Sequence, residues 1–249
     1  MIYQTKIYGH RGASEYAPEN SMEAFQMAYD MGADGIEFDV QMTRDGCIVV
    51  AHDEEISRVS DGKGFIKDYT LEELRTFTFN KTHPEYAYVK IPLLEEVLEQ
   101  FGQKNDRDKE FLFNIELKNS IFAYEGIEEK VLKMVKENNV LERTLFSSFF
   151  HASMLKLRKI EPQAKVAFLY CDGFMDMAGY AQKYKVSMVH PAWYLLDRED
   201  TFQALREKEI GINTWTINSG KEIRRFCNMG VDGIITNRPD LGCEIRDDK

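Results

Sequence analysis

The chain is poor in the features that would place it in a membrane or outside the cell. No apolar run approaches the roughly 18 residues that a membrane-spanning helix needs, which excludes a helical span. The opening stretch, MIYQTKIYGHRG, lacks the apolar core of a secretion signal, so a cytoplasmic location is the expectation. There are four cysteines, Cys47, Cys171, Cys227 and Cys243, far apart and without a CxxC pair. That spacing removes a zinc cluster and a disulfide framework and leaves reduced structural thiols. Positive charge is also short: 32 Lys and Arg stand against 42 Asp and Glu, a net charge of −10. Nucleic acid and stable membrane association are therefore not expected, and an anionic small molecule would need a local cation.

No fixed-period repeat, low-complexity tract or Gly/Ser linker divides the sequence, so residues 1–249 read as a single domain. Short β-like runs alternate with helical patterns whose apolar residues recur three or four apart. Strands are predicted at 6–10, 35–42, 47–52, 111–117, 144–148, 165–170, 187–190, 211–217 and 233–236. Helices are predicted at 21–31, 93–101, 126–138, 152–160, 175–184, 199–207 and 222–229. In the first helix Asn20 is the expected N-cap and Gly32 the C-terminal stop. The alternation and the length predict an α/β fold, a TIM-type (β/α)8 barrel. The stretch at about 53–90 breaks the pattern and reads as an insertion after the strand ending at His52, with a short capped helix at 70–74. The charged end, Arg246 to Lys249, reads as frayed.

In Gly35-Ile36-Glu37-Phe38-Asp39-Val40, strand alternation puts Glu37 and Asp39 on one face and the apolar residues on the other. Neighbouring buried carboxylates raise each other's pKa, and a divalent cation is the usual remedy. Asn114, Glu116 and Lys118 share a face of another strand, so Glu116 offers a third oxygen. Hard oxygen ligands without a His or Cys cluster select Mg²⁺ or Ca²⁺ over Zn²⁺. His10 and His52 each end a candidate strand, where barrel active sites gather, and a pair of imidazoles suits general acid and base work. Arg11 follows His10 and can grip phosphate oxygens with both arms, and Lys118 adds a point charge. His190 ends a strand at the same rim without an assigned role; His83 reads as a loop residue and His151 as the opening of a helix.

These pieces resemble the glycerophosphodiester phosphodiesterase family. The resembling residues are His10-Arg11-Gly12, Pro18-Glu19-Asn20-Ser21, Gly35 to Val40, Thr43-Arg44-Asp45-Gly46, Val49-Val50-Ala51-His52-Asp53, Ile91 to Glu96, Ile115-Glu116-Leu117-Lys118 and Trp215-Thr216-Ile217-Asn218, in family order over nearly the whole chain. The resemblance implies hydrolysis of small-molecule glycerophosphodiesters to an alcohol and sn-glycerol 3-phosphate. It maps metal ligands onto Glu37, Asp39 and Glu116, acid/base histidines onto His10 and His52, and phosphate contacts onto Arg11 and Lys118. Trp215 matches a pocket aromatic. One departure stands at Thr236-Asn237-Arg238-Pro239, where the family resembles Thr-Asp-x-Pro. Water and the substrate's own glycerol hydroxyl both remain open as nucleophile. Two other readings compete. One is a phospholipase-like enzyme on the same barrel, of lysophospholipase D or phosphoinositide type, which would want an apolar or basic rim. The other is a non-catalytic binding module, which would have no use for paired imidazoles.

Overall fold

Eight of the nine predicted strands close into a parallel barrel in the computed structural model, which describes residues 4–104, 110–173 and 175–248. Strands are β1 (Lys6–His10), β2 (Gly35–Met42), β3 (Ile48–Val50), β4 (Leu112–Leu117), β5 (Thr144–Ser148), β6 (Lys165–Tyr170), β7 (Met188–Pro191), β8 (Gly211–Thr214) and β9 (Gly233–Thr236). Helices are α1 (Met22–Asp30), α2 (Leu71–Leu74), α3 (Leu94–Gly102), α4 (Ile127–Glu137), α5 (His151–Ile160), α6 (Met177–Lys183), α7 (Glu199–Glu207), α8 (Gly220–Met229) and α9 (Pro239–Asp247). The barrel order is β1-β9-β8-β7-β6-β5-β4-β2, and the pairing of β1 with β2 closes it as a TIM (β/α)8 barrel.

The remaining strand corrects an expectation. β3 runs antiparallel to β2, with Val50 opposite Val40, and it stops at Val50. An Ile-Val-Val run is equally apolar in either direction, so periodicity alone leaves its orientation unstated. His52 accordingly sits in the turn beyond a hairpin strand, not at the end of a barrel stave.

β2 shows why the barrel forms. Ile36, Phe38 and Val40 point outward under the helices, where the Phe38 and Phe25 rings lie 5.5 Å apart and Phe25 meets Phe101 edge-on. Glu37, Asp39 and Gln41 consequently point inward. Gly35 is needed where β2 leaves α1, because a Cβ there would lie 2.3 Å from the Leu112 carbonyl oxygen.

One cap differs from the reading of the sequence. Ser21 caps α1, its hydroxyl accepting from the Ala24 amide, while Asn20 adopts a left-handed backbone and turns toward Asp39. Gly32 does follow the helix with φ +85. The charged end is not frayed: α9 opens on Pro239 and carries Arg246, 6 % exposed, onto buried Asp34. Lys249 lies outside the described residues. The insertion builds a small core of its own around Ile56, Ile66, Leu74 and Phe79, and α2 has the expected Thr70–Glu73 capping box.

Candidate active site

The ends of β1, β2 and β4 carry the inward-facing polar residues to one place. Their register sets His10 beside Glu37, Glu37 beside Asn114, and Asp39 beside Glu116. Ligand oxygens of Glu37, Asp39 and Glu116 all lie within 4.8 Å of one another, and all three side chains are buried. His10, His52, Arg11, Glu37, Glu116 and Trp215 line a cavity of about 250 Å³. Lys118 Nζ reaches Glu116 Oε1 at 3.1 Å and donates to His52 Nε2 at 3.3 Å. The Arg11 backbone N–H donates to Glu37 Oε2 at 3.2 Å, and its Nε stands 3.6 Å from Asp39 Oδ2. The structure thus brings together the residues given a site role in the sequence: His10, Arg11, Glu37, Asp39, His52, Glu116, Lys118 and Trp215.

Electrostatics at this cluster favour a cation. Burial, then the neighbouring Asp39 and Glu116 charges, push Glu37 well above the ordinary carboxylate range. Burial and Asp39 likewise raise Glu116. Asp39 is the exception: burial opposes its ionisation, but His52, Arg11, Lys118 and the Asn20 amide hold it down to about 2. Its Oδ1 is nonetheless buried with no hydrogen-bond partner among the described residues. Crowded buried acids with an unmet oxygen fit a bound divalent cation, whose charge would relieve the repulsion.

Residues 10–241 match the model of the glycerophosphoryl diester phosphodiesterase family. The chain belongs to that family. A glycerophosphodiester phosphodiesterase from Bacillus altitudinis is 41% identical over 98% of this chain and 99% of its own length. One from Caldanaerobacter subterraneus subsp. tengcongensis is 40% identical over 95% and 96%. The crystal structure of the Thermotoga maritima glycerophosphodiester phosphodiesterase superposes with a TM-score of 0.77 at 29% identity, covering 97% of this chain and 98% of that one. The family is one of phosphoric diester hydrolases.

Around this cluster lies a shell to which the sequence reading gave no role in the site. Asn237 Oδ1 accepts from His10 Nδ1 at 2.6 Å, so the departure at this position touches a matched histidine directly. That bond fixes the Nδ1–H tautomer and leaves the lone pair on Nε2. Burial and then Arg11 push His10 down to about 4. His52 donates its Nδ1–H to Asp53 Oδ1 at 2.6 Å. Glu19 accepts from Arg11 Nη1 at 2.7 Å, and Asn20 Nδ2 donates to Asp39 Oδ2 at 2.9 Å. Glu19, Asn20 and Asp53 all lie in the motif segments, but nothing in one sequence says which neighbour each polar side chain will meet.

Trp215 packs edge-on to Phe149 at 5.7 Å and donates Nε1–H to the His190 carbonyl at 2.8 Å. His190 is fully buried; its Nε2 accepts from Asn213, and its Nδ1 has no partner among the described residues. Burial pushes it down to about 3, so it lines the cavity as a neutral ring. His151 opens α5 with Nε2 bonded to the Leu169 carbonyl at 2.9 Å. His83 lies in the insertion, its ring edge-on to Tyr86.

Proposed function

We propose that this protein hydrolyses glycerophosphodiesters to an alcohol and sn-glycerol 3-phosphate, with one divalent cation, Mg²⁺ or Ca²⁺, held by Glu37, Asp39 and Glu116. The observation that carries the reading is the convergence of three buried carboxylates, one oxygen of them unmet, beside two imidazoles in a single cavity. When bound, the cation supplies positive charge against the phosphate oxygens. Arg11 and Lys118 hold the same phosphate and offset the charge that builds during cleavage.

The two histidines are set up for different halves of the reaction. An amide oxygen, from Asn237, is the partner of His10, so the neutral ring keeps a lone pair on Nε2 and serves as general base toward the nucleophile. A carboxylate, Asp53, is the partner of His52 and holds its ring by Nδ1–H, so that Nε2, beside Lys118 Nζ, is the edge that passes a proton to the leaving alkoxide as general acid. Trp215 and Phe149 form an apolar wall for the glycerol or head-group carbons. The four cysteines are thiols, in keeping with a reducing cytoplasm. Among the described residues, no helix is long and apolar enough to cross a membrane.

The test uses two substrates. Glycerophosphocholine needs its alkoxide protonated; a p-nitrophenyl phosphodiester does not. His10→Ala should lose activity on both, while His52→Ala should lose it on the first and keep most of it on the second. Full activity of either variant on glycerophosphocholine, or wild-type turnover that survives EDTA, overturns the scheme.

A specific observation supports a second reading, activity on lysophospholipids. Ile121, Phe150, Met175 and Tyr194 are exposed in loops that follow β4, β5, β6 and β7, and Phe65 of the insertion is exposed beside Phe122. These side chains are placed to meet the acyl chain of such a substrate. Release of choline from lysophosphatidylcholine micelles faster than from glycerophosphocholine would place this reading first.

A further inference from the structure

Arg58, from the insertion, stands between the two loops that present Arg11 and His52. Its Nη1 and Nη2 donate to Glu19 Oε2 and Oε1 at 2.8 and 2.7 Å, and its Nε donates to Asp53 Oδ2 at 2.5 Å. Glu19 in turn holds the Arg11 guanidinium through the same Oε1, and Asp53 holds His52 through its other oxygen. The chain of contacts therefore runs Arg11, Glu19, Arg58, Asp53, His52, from the side chain that grips phosphate to the imidazole that delivers a proton.

Arg58 is itself fixed from behind. It ends a single 3-10 turn, Ile56–Arg58, whose first residue is 1 % exposed in the small core of the insertion. Ser60 closes the turn by donating to the Ile56 carbonyl at 2.8 Å. A planar guanidinium can satisfy one carboxylate with two parallel bonds and still present Nε to a second, which an ammonium cannot do in fixed geometry.

We propose that Arg58 is a positioning residue that sets Arg11 and His52 in mutual register, so that the insertion, through its own core, governs both phosphate binding and leaving-group protonation. This rests on the roles assigned to Arg11 and His52 above. Without Arg58, Glu19 has only Arg11 to neutralise it and competes with phosphate for that guanidinium. Asp53 loses its second anchor, and His52 loses its orientation with it.

The experiment compares wild type with Arg58→Ala, Arg58→Lys and Arg58→Met, on glycerophosphocholine and on a p-nitrophenyl phosphodiester. The expected result for Arg58→Ala is a KM raised on both substrates and a kcat lowered, by about tenfold or more, on glycerophosphocholine alone. Lysine should restore little, and added guanidinium ion should partly rescue Arg58→Ala. Equal loss of kcat on both substrates without guanidinium rescue would mark Arg58 as a merely structural residue and overturn the proposal. Unchanged KM and kcat in all three variants would overturn it too. If instead the wild type itself is inactive on both substrates, the phosphodiesterase reading fails first. Melting temperatures of the three variants, read alongside, identify any that fails to fold, and Arg58→Lys remains the informative variant in that case.

Discussion

Asp34, just before β2, and Asp39, within it, are both nearly inaccessible, at 7 % and 1 % exposure, and they have opposite fates. Asp34 accepts from the Ile7 amide at 2.9 Å, is paired with buried Arg246 of α9, and has Lys6 at 3.6 Å. Its charge is matched, and the pairing ties the last helix to the bottom of the barrel. Asp39 faces Glu37 and Glu116, shares Arg11 with Glu19, and keeps one oxygen unmet. A buried acid with a dedicated cation is part of the scaffold; buried acids outnumbering their cations mark a place prepared for a charge from outside. The top of the barrel is thus built to be incomplete, and the bottom is not.

Substitutions should separate the two ends. At the top, His10→Ala should lower kcat by about 10²–10⁴ for glycerophosphocholine, measured by release of glycerol 3-phosphate. At the bottom, Arg246→Met leaves Asp34 buried without its partner and should lower the unfolding free energy by about 3–5 kcal/mol in urea titrations. That variant should keep the cation response and the kcat of its folded fraction. Glu37→Gln should do the reverse: in chelator, removing a like charge from the cluster should raise stability by about 1 kcal/mol while activity is lost.

The smallest effect concerns pH. Because Glu37 and Glu116 have raised pKa values, protons compete with the cation for them, so the stabilisation given by Mg²⁺ or Ca²⁺ should grow as pH rises from 5 to 8. A cation-induced melting shift that is flat over this range would show that the carboxylates are not the ligands.

How much of this was legible in the sequence depended on periodicity. The alternation in β2 and β4 places Glu37, Asp39, Glu116 and Lys118 on inward faces without any structure, because a period of two fixes the face. His10 and Arg11 follow from their strand. What escaped depends on three-dimensional neighbours. Asn20 had the chemistry of a cap, yet Ser21 caps and Asn20 serves Asp39. Asn237 stood out only as a departure from the family pattern, because its partner, His10, is at the other end of the chain. The last helix did leave a signal, Pro239 at its start with Leu241 and Ile245 four apart, but the run of charges at its end obscured it. Arg58 left none, since no spacing rule connects it to Glu19.

The central claim, that three converging carboxylates hold a cation, is tested most directly by thermal unfolding of the EDTA-treated protein with and without Mg²⁺ or Ca²⁺. A rise in melting temperature is predicted for the wild type, corresponding to roughly 2.7 kcal/mol at about 100-fold excess over Kd, and its loss in Glu37→Gln, Asp39→Asn and Glu116→Gln. A wild type whose melting temperature ignores both ions, or variants that keep the full rise, would contradict the account.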